Sequence, residues 1–165
     1  MKQVKGTASR NDWKALIFIV AVTLGLGALS GFVTSDSQMQ YEAMYQPALA
    51  PPAWLFPVVW TILYVLMAVA AWLVWKADHP MTAAQQSALE IYVLQLLVNI
   101  TWPVFFFGME AYWQAFLWLC LLWVLIVIMI IRFARIDRRT VWLLLPYLLW
   151  VTFAGYLNLS IALNS

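Results

Sequence analysis

Long runs of apolar residues, separated by short polar segments, make up most of this chain. Five runs are long enough to cross a hydrocarbon core of about 30 Å, which takes roughly 20 helical residues. They cover residues 13–33, 53–75, 88–107, 112–131 and 141–163. The short connections after the second, third and fourth runs favour antiparallel neighbours. The pattern predicts an all-α fold: an integral membrane bundle of five transmembrane helices, forming a single domain over residues 1–165.

The composition agrees with this pattern. Of the 165 residues, 65% are hydrophobic and 10% are charged. Soluble domains have about a quarter of their residues charged. The chain is therefore predicted to be a multi-pass membrane protein with almost no residues left for a soluble domain.

The first apolar run has an alternative interpretation. Three basic residues precede it, and residues 28–31 imitate a signal-peptide cleavage site. However, the apolar run continues beyond that site, and Trp13 beside Lys14 suits an interfacial anchor. We expect the segment to be the first transmembrane helix, with cleavage as the alternative.

The basic residues predict the orientation, because an excess of Lys and Arg marks cytoplasmic loops. They fall at one predicted membrane side: Lys2, Lys5, Arg10, Lys14, Lys76, Arg132, Arg135, Arg138 and Arg139. The outer loop 34–52 and residues 108–111 have none. We expect a cytoplasmic N-terminus, an outside C-terminus and a bacterial inner membrane. The net charge of +2 then reflects membrane orientation, and no nucleic-acid partner is expected.

Few residues are suited to acid–base or metal chemistry. Cys120 and His79 are the only residues of their types, so neither an intrachain disulfide nor a cysteine metal site is expected. Glu90, near the cytoplasmic end of the third run, is the ionisable side chain closest to the membrane interior. The predicted spans contain no histidine for a conventional haem ligand. We assign no catalytic residue and no metal site.

Polar and aromatic residues recur at helical spacing in three runs. The third run has Gln95, Asn99 and Trp102 on one face. The other two stripes are Trp60, Tyr64, Met67 and Ala71, and Tyr147, Trp150, Ala154 and Leu157 with Asn158 at the margin. Two interpretations remain open: packing between helices, or an aromatic pocket for a large planar apolar ligand.

The segment before the second run is rich in proline. Loop 34–52 is either a lid over such a pocket or a connector. Proline shapes the loop and is tolerated at a helix start. We expect Pro51, Pro52 and Trp54 to form the rim, with Trp54 at the interface. In the first run, Gly27 and Gly31 form a GxxxG pair that favours close helix packing, within the bundle or between subunits.

Three segments resemble, in order and spacing, the signature segments of the TspO/MBR family of tryptophan-rich sensory and translocator proteins. They read PPAWLFPVVWTILYVLMAVA, LQLLVNITWPVFFFG and LLPYLLWVTFAGYLN. The similarity extends from about Tyr41 to the C-terminus. It implies a five-helix bundle, often a homodimer, with a ligand cavity that opens toward the first long loop.

The resemblance also implies ligands. The family is associated with porphyrins, notably protoporphyrin IX and haem, and in animal members with cholesterol and other apolar ligands. No further cofactor is implied. The residues that match the family pocket are Trp60, Tyr64, Asn99, Trp102, Trp150 and Ala154, and Tyr147 lies on the same stripe.

The first loop departs from the family pattern, which commonly reads WYxxLxKPxWxPP. This chain has YEAMYQPALAPP, so Tyr41 and Leu49 replace tryptophans and Gln46 replaces a lysine. We expect a different ligand preference. No Lys or Arg follows Tyr156, so the sterol-associated pattern of the animal proteins is missing.

The favoured function is a membrane receptor or carrier for tetrapyrroles that senses or regulates porphyrin level. Porphyrin would lie between Trp60 and Trp150, with Asn99 and Tyr64 offering hydrogen bonds. One alternative is light- and oxygen-dependent porphyrin degradation, for which Trp60 and Trp150 are the oxidisable candidates. The other is transport of small apolar molecules or lipids.

Overall fold

The described part of the chain folds into helices connected by short loops. A computed structural model describes residues 12–33, 37–78 and 80–165, and these contain no strand. The elements are α1 (Asp12–Val33), α2 (Ser37–Ala43), α3 (Leu55–Trp75), α4 (Ala83–Pro103), a π-helical turn (Val104–Gly108), α5 (Tyr112–Ile136) and α6 (Arg139–Leu163). All except α2 belong to five segments that are long and apolar enough to cross a membrane. The predicted fold class is confirmed.

Four of the five observed spans extend beyond the apolar runs that predicted them, whereas α3 begins at Leu55, two residues later than its run. Helix α4 begins at Ala83 rather than residue 88, and α5 continues to Ile136 rather than residue 131. Arg132 and Arg135 therefore lie in the last turns of α5, outside any loop. Hydropathy reports the part of a helix that lies in lipid, whereas long basic side chains at a helix end extend to the interface.

The five long helices pack in a ring. Helix α1 contacts α3, α3 contacts α6, α6 contacts α5, α5 contacts α4, and α4 contacts α1. Because successive spans alternate in direction, every neighbouring pair in this ring is antiparallel except α1 and α4. Helix α3 also contacts α4 and α5, so it lies closest to the centre.

Helix α1 is the most peripheral span. Only 6% of its apolar window is buried, against 28–44% for the other four spans. Polar contacts attach it to the bundle: the Thr23 and Tyr92 hydroxyls are 2.6 Å apart, and Ser30 donates to the Ile100 carbonyl at 2.7 Å. Hydrogen bonds of this kind between helices are favourable in lipid, where water does not compete.

The α3–α4 connection depends on the fully buried side chain of Gln85. Thr82 and Gln85 form a reciprocal capping box at the start of α4. The Gln85 amide also donates to the Val74 carbonyl at 2.8 Å, at the end of α3. One side chain therefore satisfies backbone groups at two helix ends that would otherwise lack partners.

Some residues used in the sequence analysis lie outside the described residues. They are the basic residues Lys2, Lys5 and Arg10, the first loop residues 34–36, and His79. Their roles in orientation and in the loop remain predictions.

Replacing Gln85 by alanine is expected to destabilise the protein by about 1–3 kcal/mol, because a cap is lost and buried backbone groups lose their partner. Unfolding in mixed micelles with a rising SDS fraction measures the change. Gln86→Ala is the matched control, since the adjacent Gln86 side chain is exposed. Equal destabilisation by the two variants would contradict the assigned role of Gln85.

Candidate ligand cavity

A cavity of about 540 Å³ lies between the long helices, in the half of the bundle that contains α2 and the π-helical turn. Ligand pockets for drug-sized molecules have volumes of about 300–1,000 Å³. All five long helices contribute to the walls, and α2 adds Ser37, Gln38 and Tyr41. The long loop predicted between the first two spans therefore contains part of the cavity wall and is more than a connector.

Aromatic rings form the walls on the α3 and α4 sides. The Trp60 ring lies 5.6 Å from the Tyr64 ring and 6.2 Å from the Tyr147 ring, measured between centroids. The Trp102 ring stacks on Phe106 at 4.8 Å. These rings hold one another in fixed orientations, which prepares flat apolar surfaces for a ligand.

The π-helical turn places Phe106 in this wall. Pro103 has no amide hydrogen, so the regular α-helical pattern ends there. The Met109 amide then donates to the Val104 carbonyl at 2.9 Å, five residues back. The wider turn leaves Phe106 buried beside Trp102. A π-helical turn of this kind is often found at functional sites.

A chain of hydrogen bonds runs inward from the cavity wall. The Tyr64 hydroxyl donates to the Asn99 side-chain oxygen at 2.7 Å, and the Asn99 amide donates to the Tyr147 hydroxyl at 2.8 Å. Tyr147 in turn donates to the Gln95 side-chain oxygen at 2.8 Å. The side-chain nitrogen of Gln95 lies 3.8 Å from the Met67 sulfur. We call Tyr64, Asn99, Tyr147 and Gln95 the buried polar chain.

The buried polar chain satisfies itself without a ligand. Each of its hydroxyl and amide oxygens has a partner inside the protein. These oxygens would keep their hydrogen bonds when an apolar molecule fills the cavity. Binding would therefore avoid the free-energy cost of leaving a buried oxygen without a partner. The wall can therefore accept ligands with no hydrogen-bonding group of their own.

A second polar contact fixes Trp102. Its indole N–H donates to the Asn158 side-chain oxygen at 3.3 Å, and the Asn158 amide donates to the Tyr112 carbonyl at 2.9 Å. Asn158 is almost fully buried and lines the cavity. It connects α6 to the wall formed by α4 and to the start of α5.

The cavity lining is electrically neutral. Among the described residues, it includes no Asp, Glu, Lys, Arg, His or Cys side chain. The described residues also contain no group of three or more metal-ligating side chains. The described lining residues thus offer no carboxylate or imidazole for proton transfer.

Residues 37–52, the described part of the outer loop and called the outer segment below, are attached to the bundle at the cavity rim. The Tyr41 hydroxyl donates to the Pro51 carbonyl at 3.1 Å, and its ring packs edge-on against Phe56 at 4.9 Å. Burial raises the pKa of Tyr41 above its usual value. From α6, the Tyr156 hydroxyl donates to the Ala48 carbonyl at 2.8 Å. The Tyr41 ring and the Ala48 carbonyl are therefore the two points at which these contacts hold the outer segment against the bundle.

The structure separates the predicted binding residues into two groups. Five of them line the cavity: Trp60, Tyr64, Asn99, Trp102 and Ala154. Tyr147 and Trp150 are not part of the lining. Tyr147 lies behind Asn99 in the buried polar chain, and Trp150 lies behind Phe56, with ring centroids 5.8 Å apart.

The predicted rim residues are also outside the lining. Pro51 supplies the carbonyl that accepts from Tyr41, whereas Pro52 and Trp54 are exposed. With 62% of its surface exposed, Trp54 suits the interfacial anchor predicted for it. The lining residues that the sequence analysis missed include Phe56, Phe106 and Ile161. Phe56 and Phe106 stand four residues from Trp60 and Trp102, so a longer stripe would have included them.

Gly27 is required by the position of Tyr64. A Cβ atom added at Gly27 would overlap the ring carbons of Tyr64, and that ring is buried. Gly31, the other member of the GxxxG pair, has open space and lines the cavity. Close approach within the bundle is thus shown for Gly27, and packing between subunits remains a prediction.

Leu49 occupies a strained turn at the outer end of the bundle. The Ala50 amide donates to the Pro47 carbonyl at 3.0 Å, and Leu49, the third residue of this turn, has φ 69°. Turns with a positive φ at this position favour glycine or asparagine. The Leu49 side chain is 82% exposed, so no buried contact offsets the strain.

The fold and the cavity define a class: a multi-pass helical membrane protein with a neutral, aromatic cavity between its helices. The TspO/MBR family model matches residues 18–163. The tryptophan-rich protein TspO of Chlorobaculum tepidum is 35% identical over 88% of this chain and 94% of its own length.

Two further relatives extend the comparison. The tryptophan-rich sensory protein of Cereibacter sphaeroides is 32% identical over 89% of both chains. The human translocator protein is 31% identical over 87% of this chain and 85% of its own. The chain belongs to the TspO/MBR family, as the three signature segments predicted.

Replacing Gly27 by alanine is expected to destabilise the protein by about 1–3 kcal/mol, because the new methyl group overlaps the buried Tyr64 ring. It should also weaken ligand binding, since Tyr64 must move away from Asn99. Unfolding in mixed micelles and ligand titration measure the two effects. Gly25→Ala is the matched control, because nothing lies within 4 Å of its added Cβ. A Gly27→Ala protein indistinguishable from this control would contradict the steric argument.

Replacing Leu49 by glycine is expected to give a protein about 0.5–1 kcal/mol more stable than Leu49→Ala. Both variants lack the exposed side chain, and only glycine adopts a positive φ without strain. The comparison therefore isolates the backbone conformation. Denaturant midpoints of the two purified variants measure the difference, and an equal midpoint would show that the turn at Leu49 is not strained.

Proposed function

We propose that this protein is a membrane receptor or carrier for tetrapyrroles, such as protoporphyrin IX or haem, and that it senses or regulates porphyrin level. The observation that carries the proposal is the neutral cavity of about 540 Å³ with aromatic walls on α3 and α4. The name of the Cereibacter sphaeroides relative, a tryptophan-rich sensory protein, supports a sensory role. Porphyrin or haem is the ligand in this proposal, and no other cofactor is required.

The geometry favours a different pair of tryptophans from the pair expected from the stripes. Trp60 and Trp102 both line the cavity, whereas Trp150 is separated from it by Phe56. We therefore place the flat face of the ligand against Trp60 and Trp102. Trp150 supports the wall from behind through its contact with Phe56.

The ligand's charged groups would remain near the mouth. The propionate groups of a porphyrin are costly to bury in a neutral, apolar interior. Ser37 and Gln38 of α2 are polar lining residues at the outer end of the cavity. The ring edge that carries apolar substituents would then point toward Tyr64 and Asn99, whose polar groups already satisfy each other.

The distribution of the basic residues supports a cavity mouth outside the cytoplasm. The described basic side chains lie at the α3–α4 and α5–α6 connections and at the start of α1, opposite α2. The positive-inside rule puts that end in the cytoplasm. A bacterial inner membrane and a homodimer remain predictions, as does binding of sterols or other apolar molecules.

The receptor is better supported than porphyrin degradation. Degradation was suggested for a ligand in contact with two oxidisable tryptophans, Trp60 and Trp150. Trp150 is not part of the cavity lining, although Trp102 is, so Trp60 and Trp102 would be the oxidisable tryptophans in contact with the ligand. The cavity itself is a binding feature and needs no reaction to explain it.

Protoporphyrin IX is expected to quench the tryptophan fluorescence of the purified protein saturably. Trp60→Phe combined with Trp102→Phe should weaken binding by roughly 3- to 30-fold, because two large aromatic contacts are reduced. The dissociation constant is taken from the concentration at half-saturation, since removing tryptophans changes the amplitude. Haem, cholesterol and a small planar isoquinoline are titrated alongside to compare ligand classes.

The control is Trp142→Phe combined with Trp113→Phe. Both side chains are exposed, and neither lines the cavity. This pair should bind protoporphyrin IX with the affinity of the unmodified protein. Unchanged affinity in the Trp60 and Trp102 double variant would remove the proposed site, and unsaturable quenching would remove the receptor function.

A further inference from the structure

A second cavity lies at the other end of the bundle, where α5 ends and α6 begins. It is open to the outside and has a volume of about 630 Å³. Six residues line it: Ile131, Ala134, Arg135, Arg138, Val141 and Trp142. It shares no lining residue with the aromatic cavity, so it is independent of the proposed tetrapyrrole site.

Two arginines in this second cavity have no partner among the described residues. Arg135 and Arg138 are exposed and make no side-chain hydrogen bond or ion pair within that part of the chain. The two neighbouring arginines differ. Arg132 donates to the Ser87 hydroxyl and carbonyl, and Arg139 forms an ion pair with Asp137 at 2.6 Å.

Asp137 is not available to neutralise the cavity. It accepts hydrogen bonds from both Nε and Nη2 of Arg139, at 3.0–3.1 Å and 2.6 Å. This pairing, with the hydrogen bond from Arg139 as its largest cause, lowers the pKa of Asp137 below its usual value. The carboxylate therefore stays charged and paired with Arg139, which leaves Arg135 and Arg138 for an external anion.

The remaining walls are apolar and exposed. Ile131 and Trp142 expose 49% and 76% of their surfaces, and Val141 lies one residue from Trp142. Trp142 belongs to the first turn of α6, at the end of a transmembrane span, where tryptophan prefers the membrane interface. Two cations thus lie next to a hydrocarbon-compatible wall at the level of the lipid head groups.

We propose that this second cavity binds an anionic phospholipid. Arg135 and Arg138 would hold the phosphate, since guanidinium groups form paired, charge-assisted hydrogen bonds with phosphate oxygens. Ile131, Val141 and Trp142 would contact the upper part of an acyl chain. A free phosphate or a soluble phosphorylated molecule would leave that apolar wall uncovered, and a zwitterionic lipid would bring its own cation close to the two arginines.

The test uses native mass spectrometry of the full-length, delipidated protein in detergent. The probes are phosphatidylglycerol, phosphatidylcholine with the same acyl chains, and glycerol 3-phosphate as a head group without chains. Phosphatidylglycerol should bind with defined stoichiometry and clearly more tightly than the other two. Arg135→Gln combined with Arg138→Gln should weaken it by roughly 10- to 30-fold, since each basic residue near an anionic membrane surface contributes a factor of about five.

The control is Lys14→Gln combined with Lys76→Gln, which leaves the Arg139–Asp137 ion pair intact. It removes two positive charges at the same end of the bundle, yet neither residue lines the second cavity. This variant should retain most of the affinity. Equal weakening in both double variants would show general charge attraction, and equal binding of phosphatidylcholine or of glycerol 3-phosphate would show that no anionic-lipid site exists. Each of these results would overturn the proposal.

Trp142→Ala keeps both arginines and removes part of the apolar wall. It therefore tests the apolar contact independently of the charges. Because Trp142 is exposed, this substitution should leave the thermal stability in detergent unchanged. Binding of phosphatidylglycerol should weaken several-fold, whereas protoporphyrin IX binding should not change. Full lipid affinity in this variant would contradict the acyl-chain contact. Because the two cavities have separate walls, loss of either ligand leaves the other assay interpretable.

Discussion

The structure depends on hydrogen bonding between buried side chains of different helices. Tyr64, Asn99, Tyr147 and Gln95 connect α3, α4 and α6 through three hydrogen bonds of 2.7–2.8 Å. In hydrocarbon a polar group without a partner is costly, so any shift of one helix that breaks this chain is penalised. Two of these four side chains, Tyr64 and Asn99, also line the cavity. Helix positions and cavity shape are therefore set by one interaction.

The peripheral helix α1 depends on that chain as well. Tyr64 reaches Asn99 only while its ring occupies the space beside Gly27. A larger residue on α1 would move the ring, and movement of the ring would separate two helices elsewhere in the bundle. This explains how a helix that buries so little of its own surface still determines the geometry of the cavity. Ser30 and Thr23 then hold α1 close enough for the contact to persist.

The lengths of the apolar runs predicted the fold. Helical periodicity, together with the family resemblance, predicted most of the candidate site, because the site depends on which face of a helix turns inward. Trp60, Tyr64, Asn99, Trp102 and Ala154 were identified in this way and line one cavity. Helical periodicity indicates which side chains face inward, but not whether each of them reaches the cavity surface. Trp150 packs against Phe56 of the adjacent helix, and Phe56 rather than Trp150 lines the cavity. Helix α2 was missed because seven largely polar residues do not produce a recognisable hydrophobic period.

The outer segment shows why this chain is expected to select ligands differently from many relatives. Gln46 stands where the family commonly has lysine, and its amide donates to the carbonyls of Tyr41 and Met44 at the end of α2. It therefore caps a helix end and does not offer a cation to the cavity. The described lining residues at the mouth and the inner wall are uncharged, so we expect affinity to come mainly from shape and aromatic contact. Ligand carboxylates would gain little at the mouth, so esterification of a porphyrin should affect its binding less here than in a relative with that lysine.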